Sequence, residues 1–472
     1  MNSEKQYIDL FEANRDVISA HSTAVMNALR EKAFEDFKRQ GFPTRKTEKY
    51  KYTDISKLFE PDYGLNLQRL PMPINPYEVF SCDVPRLSTA NHFVVNDALL
   101  YPTTPNKHLP EGVVITSICD YAAKNPDFIA RYYGKLAKTE DDAVTALNTM
   151  LAQDGLLVYV PRGVKLENTI QVINILHAQV DLMVNRRVLI VVEPLAEVKF
   201  LFCDHTFDDQ RFLATQVIEA FVDDNAKLDL YCMEETHEKN VRVSNVYIEQ
   251  QASSRVNHNV ITLHNGVTRN NVLLSFRGED AECNLSGCVI ADKKQHVDNN
   301  TVIDHAVPNC HSHELYKYVL DDEAVGAFAG LVLVRKDAQH TDSEMRNQNI
   351  CATKKAHMFT QPMLEIYADD VRCNHGSTIG KLDESALLYL RQRGIPLAEA
   401  RLLLQHAFVS DVLQRVPIDA LRQRLSDLVE RRFRGEQRHC ADGCADWQCE
   451  ALNRKTNVAD DRLSPGFSPV EP

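Results

Sequence analysis

From about residue 151 to 380 the chain repeats one short phrase: polar residues, an alanine, then alternating strand residues. It reads EPLAEVKF around Ala196, DDNAKLDL around Ala226, EQQASSRV around Ala252, GEDAECNL around Ala281, DDEAVGAF around Ala324 and TKKAHMFT around Ala356. The spacings are about thirty residues, with one gap near forty, which is the regime of stacked repeats. No long amphipathic helix interrupts the run, so each unit is strand and turn alone. That predicts a parallel β-helix, in which rungs hydrogen-bond their neighbours and inward residues stack into one core. The alanines are expected at tight corners. A β-sandwich is the structural alternative.

The flanks read differently. Val25, Met26, Leu29, Ala33, Phe34 and Phe37 recur at helical spacing before Gly41. The next stretch, GFPTRKTEKYKYTDI, carries Arg45, Lys46, Lys49 and Lys51 beside Tyr50 and Tyr52. It reads either as an anion or partner contact or as a solvated loop packing its tyrosines. The chain thus divides into an N-terminal helical region (1–60), an irregular mixed α/β connection (61–150), the β-helix core (151–380), a C-terminal helical domain (381–433) and a flexible cysteine-containing tail (434–472). The formal net charge of −13 argues against a nucleic-acid surface. The longest aliphatic run, Val188 to Val192, is far too short to span a bilayer. No signal-peptide pattern opens the chain, and its twelve cysteines read as reduced thiols, so a cytoplasmic location is expected. No GxxxxGK[ST] or HExxH occurs, which speaks against a P-loop or a zincin in this chain.

The densest chemistry lies where strands give way to helices, in PMLEIYADDVRCNHGSTIGKLDESALLYLRQRGIP (362–396). Cys373 and His375 stand two apart on a segment read as extended, so both face one side. Thiolate with imidazole is a soft-to-borderline metal pair. Asp383 reads as an N-cap before Leu387, Leu388 and Leu390, and Gly394 as the stop. Ala400, Leu403, Leu404, Ala407 and Phe408 mark a second helix. Leu402 and Val409 widen its apolar side, which suggests burial on two sides. Ile418, Leu421, Leu425 and Leu428 mark a third. Upstream, His305, Cys310, His311, His313, His340 and His357 thicken toward the same end of the β-body. Stacked rungs bring such side chains together, which makes a composite metal or sulfur site available. The competing reading is hydrogen-bonded structural histidines and small buried cysteines. In the tail, His439, Cys440, Cys444 and Cys449 supply a candidate Cys₃His metal set, against incidental thiols.

Two long stretches carry a resemblance: DHAVPNCHSHELYKYVLDDEAVGAFAGLVLV with AQHTD and NQN, and PMLEIYADDVRCNHGSTIGKLDESALLYLRQRGI. With GFPTRKTEKYKYTDI at the other end, they resemble the SufB/SufD family of iron–sulfur cluster assembly proteins. CNHGSTIG, in place of an EA-x-TS-x-IG ending, is similar to the SufD branch. The resemblance implies a mainly β fold: a right-handed parallel β-helix core flanked by N- and C-terminal helical domains. It implies a non-catalytic scaffold that pairs with a SufB-like paralogue through the β-helix ends. A SufC-like ABC ATPase would dock on the C-terminal helices, a region holding Asp383, Leu387, Leu390, Arg393, Leu403 and Phe408. Cys373, Asn374, His375 and Gly376 match the family's CxHG motif. His375 matches a histidine at the pairing interface, where iron or an iron–sulfur cluster is held transiently rather than as a firm cofactor. A homodimer is allowed when the paralogue is absent. Residues 350–360, ICATKKAHMFT, depart from the family by lacking a leucine-rich run, and the tail is no general family feature. Two other classes stay open on the residues: a β-helix enzyme acting on carbohydrate, and a stand-alone metal-binding protein using the tail cysteines.

Overall fold

The computed structural model describes residues 3–71, 74, 91–100 and 109–435. Short strands β1 (Asn91–Val95), β2 (Ala98–Leu100) and β3 (Val114–Ser117) precede the main body. The body runs β4 (Leu156–Val160), β5 (Ile170–Leu176), β6 (Leu182–Val192), β7 (Glu197–Thr206), β8 (Phe212–Val222), β9 (Lys227–Glu235), β10 (Val241–Gln250) and β11 (Arg255–His264). It continues with β12 (Val267–Phe276), β13 (Glu282–Ala291), β14 (His296–His305), β15 (His311–Leu320), β16 (Val325–Val334), β17 (Asp342–Cys351), β18 (His357–Ile366) and β19 (Arg372–Gly380). Successive strands go alternately to two sheets. One has the order β19-β17-β15-β13-β11-β9-β7-β5-β1-β2, the other β18-β16-β14-β12-β10-β8-β6-β4-β3. From β4 onward every pairing is parallel, and each strand pairs with the strand two later in sequence. The result is a parallel β-solenoid of about eight turns, not a sandwich.

The register explains the thirty-residue phrase. One turn spans 26 residues where Val241 pairs with Val267 and 32 where Leu156 pairs with Val188. The corners entering β7, β9, β11, β13, β15 and β17 are built the same way. A residue at positive φ (Leu195, Asn225, Ser253, Asp280, Asn309, His340) precedes a small buried one (Ala196, Ala226, Ser254, Ala281, Cys310, Thr341). The left-handed residue turns the chain, and among non-glycine residues Asn and Asp cost least there. The small residue lets the next rung close over it. Ala252 lies in its corner turn but is not the small buried residue there, because Ser254 holds that place and Ala252 is part-exposed. The gap near forty arises because Cys310 stands where the next alanine was expected. Ala324 and Ala356 belong to the opposite corner, leading into β16 and β18.

Alternation fills the lumen. Phe200, Phe202, Ile218, Leu230, Val246, Leu274, Leu285 and Phe328 face inward in one continuous core. The outer face of each sheet then needs its own cover. Helices α1 (Ser3–Ala20) and α2 (Ala24–Gln40) come first, then α3 (Ile55–Leu58), α4 (Ile118–Ala122), α5 (Pro126–Tyr132) and α6 (Ala143–Leu151). From these, Tyr7, Phe11, Phe34, Phe37, Leu147 and Met150 pack on Met183, Leu213 and Val243 of the nine-stranded sheet. The basic loop between α2 and α3 is fastened by its tyrosines. Tyr50 is buried and bonded to Asp142, with Arg269 stacked 4.1 Å over its ring, and Tyr52 stacks on Phe359 at 4.5 Å. After the last strand come α7 (Glu384–Gln392), α8 (Leu397–Gln414) and α9 (Asp419–Phe433), of which α8 and α9 lie over the ten-stranded sheet. Val409, Val412, Leu413, Leu421, Leu425 and Val429 bury against Leu201, Met233, Ile261, Ile290, Leu315 and Val319. No helix among the described residues is long and apolar enough to cross a membrane.

Candidate functional site

The two ends of the solenoid are unlike. At the N-terminal end, three-residue β2 and four-residue β3 run antiparallel to β1 and β4 and close the sheets with short edges. At the other end both sheets stop on long strands, ten-residue β18 and nine-residue β19. Long open edges present rows of backbone donors and acceptors that invite another chain. Ile366 and Ile379 are 40% and 51% exposed there. Pro362 sits in β18, where an edge strand tolerates its missing N–H. The stretch 350–360 contains the end of β17, a turn over 352–356 and the start of β18 at His357.

Register places Cys373 and His375 on the same side. Met345 is fully buried in the core and pairs with His375, while buried Ser343 pairs with Cys373. Both site residues therefore occupy inward positions whose covering rung is absent among the described residues. Cys373 is half-buried, and burial beside Asp342 raises its thiol above the ordinary value. His375 is exposed. Behind them two inward columns run into the lumen. Cys373 follows Ser343, Ser312 and Cys283, and His375 follows Met345, Glu314 and Leu285. Ser312 donates to Ser343 at 2.8 Å and meets His305 Nε2 at 2.9 Å. Glu314 is wholly buried and accepts from Thr301 at 2.9 Å, and burial lifts its carboxyl to about 8.

The other histidines and cysteines do not converge. Burial pushes His305 down to about 3, so it is a neutral hydrogen-bonding group. Cys310 is the small residue of a corner. His340 meets Asp370 at 3.1 Å on the surface, and His311 and His357 are exposed. Among the described residues no group of three or more His, Cys, Asp or Glu is placed to hold a metal ion. His439, Cys440, Cys444 and Cys449 lie outside the described residues.

The residues from Asp383 onward form a second exposed surface. Asp383 caps α7, its Oδ1 accepting from Ser385 N at 2.8 Å and Ala386 N at 3.2 Å. Gly394 at φ +87° ends the helix. Leu387 and Leu390 are half-buried, Arg393 is exposed, and Leu403 stands outward on α8. Phe408 turns the other way, onto the ten-stranded sheet. Leu388 and Tyr389 lie more than half exposed, and α7 buries none of its side chains. Glu314, Met345 and the exposed isoleucines were missed by the sequence reading. The alternation in HSHELYKYVL, with Glu314 in phase with Tyr316, Tyr318 and Leu320, was the available signal.

The described residues thus form a β-solenoid with one end closed by short strands, the other ending on two long strands, and helices on both flanks. The family models agree with it: "SufBD protein N-terminal region" matches residues 1–172, and "SUF system FeS cluster assembly, SufBD core domain" matches 174–408. This chain belongs to the SufBD family of iron–sulfur cluster assembly proteins. An iron–sulfur cluster assembly SufBD family protein of Synechocystis is 27% identical over 404 residues, covering 82% of this chain and 86% of that one. The iron–sulfur cluster assembly protein SufD of Escherichia coli is 32% identical over 176 residues, 37% of this chain and 42% of its own. The SufD of Bacillus subtilis is 25% identical over 331 residues, 69% and 75% of the two chains.

Proposed function

We propose that this chain is a non-catalytic, SufD-type scaffold subunit of a cytoplasmic cluster-assembly complex. It pairs through its open end with a SufB-like paralogue and carries a SufC-like ABC ATPase on α7 and α8. His375, with Cys373 beside it, meets iron or a nascent iron–sulfur cluster at the shared interface, as cargo rather than as a resident cofactor. The observation that carries this reading is the last rung, uncovered among the described residues: two long strand edges with Cys373 and His375 at inward positions. The paired partner would supply the missing rung and the remaining donors, since two side chains do not complete a metal site. Exposed Leu388, Tyr389 and Leu403 support a docking face on the helices. Hydrolysis is assigned to the ATPase, because this sequence carries no GxxxxGK[ST].

The test is co-purification with the paralogue and the ATPase, wild type against His375→Ala. The reading expects both to form the complex, with cluster formation lost in the variant. Equal cluster formation in both would remove His375 from the chemistry. Absence of any complex with wild type would overturn the scaffold reading.

A further inference from the structure

We propose that Lys317 is a positioning residue that couples the ATPase-docking helices to the open end of the solenoid. The inference rests on the functional reading above and adds the route by which the two surfaces communicate. Lys317 stands on the outer face of β15, among apolar residues that seat α8 and α9. Its side chain is 4% exposed. The ammonium donates to the Phe408 carbonyl at 2.8 Å and to Asp411 Oδ2 at 2.6 Å, and lies 4.8 Å from the centre of the Phe408 ring. All three contacts come from one face of one turn of α8, because Phe408 and Asp411 are three apart.

A lysine is a costly way to glue a helix to a sheet. An apolar residue of similar length would fill the space without stripping water from a charge. What the ammonium adds is direction, since its bonds are met at one rotation and one register of α8. Lys317 is thus one directional link through which load on α8 reaches β15, beside the apolar packing of α8 on the same sheet. In outward register Lys317 pairs with Gln348 of β17, and Gln348 with Thr378 of β19. Lys317 is thus two rungs, roughly 10 Å, from the edge strand that holds His375. Asn349 Nδ2 donates to the Thr378 carbonyl at 2.9 Å and ties the last two rungs together. A second tie, Arg432 of α9 to the Leu263 carbonyl and Asp292, lies farther from the open end. Leu403 of α8 and Leu388 and Tyr389 of α7 stand exposed for a partner.

The experiment uses the complex with the paralogue and the ATPase. The readout is the alkylation rate of Cys373, followed by peptide mass, with and without ATP. ATPase affinity and melting temperature are measured alongside. Lys317→Met is expected to bind the ATPase as wild type does, yet to lose roughly three- to tenfold of the ATP-dependent change at Cys373. Lys317→Arg, which keeps the charge and both donors, is expected to recover part of it. Asp411→Ala, altered on an exposed side chain, is expected to lose a smaller share and serves if Lys317→Met fails to fold. An ATP response at Cys373 equal to wild type in Lys317→Met and Asp411→Ala overturns the coupling role and leaves the scaffold reading standing. No ATP response at Cys373 in wild type, or no ATPase binding, brings down both together.

Discussion

Glu314 sits inside the solenoid with Thr301 as its hydrogen-bond partner and Cys283 and Tyr316 beside it. The folded protein keeps its proton up to about pH 8, whereas an ordinary glutamate gives it up near 4.5. Between those values the folded state binds more protons than the unfolded one, so stability falls as pH rises through that window. Glu314→Gln removes the fall. Urea midpoints of wild type and variant are expected to agree near pH 4.5, with the variant ahead by roughly a few kcal/mol at pH 8. Parallel curves at all pH values would contradict the assignment. The residues of the site were unequally legible. Cys373 and His375 were visible because a two-residue spacing on a strand fixes a common side. Their exposure was not visible, since it depends on which rung comes last. Glu314 and Lys317 were hidden for a related reason: neighbours in one strand, they face the core and the helices respectively, and only the register assigns the faces.

The corner is the element that repeats, and its chemistry is a left-handed residue followed by a small one. Alanine marks it in only some turns, because Ser254, Cys310 and Thr341 serve equally well. Spacing alone therefore gave the period while misplacing Ala252. Asn309, at φ 63°, is the turning residue before Cys310. Asn309→Val puts a branched side chain into that region and is expected to cost about 1–2 kcal/mol, read as a lower urea midpoint. Asn309→Gly is expected to stay near wild type, and equal losses for both would show that backbone conformation is not the cause. Helix α7 depends on its cap in a different way, because it buries none of its side chains. Asp383→Ala is expected to cost about 1 kcal/mol locally. Faster amide exchange confined to α7, with an unchanged global melting temperature, is the expected result.

At the scale of the whole molecule, periodicity showed that three C-terminal helices each have an apolar side, but not which surface they cover. The structure lays α8 and α9 along the ten-stranded sheet, and the N-terminal helices along the other. Both faces and one end are thereby closed. Among the described residues one end is left open, where β18 and β19 expose their edges and Ile366 and Ile379 stand at the last rung. The proposed function requires that end to be a pairing surface. The direct measurement is the mass of the complex formed with the SufB-like paralogue, wild type against the double variant Ile366→Lys with Ile379→Lys. Both side chains are exposed, so the fold should persist, and lysines at an edge oppose strand addition. The account predicts a heteromeric complex with wild type, and free chains with unchanged circular dichroism for the variant. A variant that pairs as tightly as wild type would contradict it.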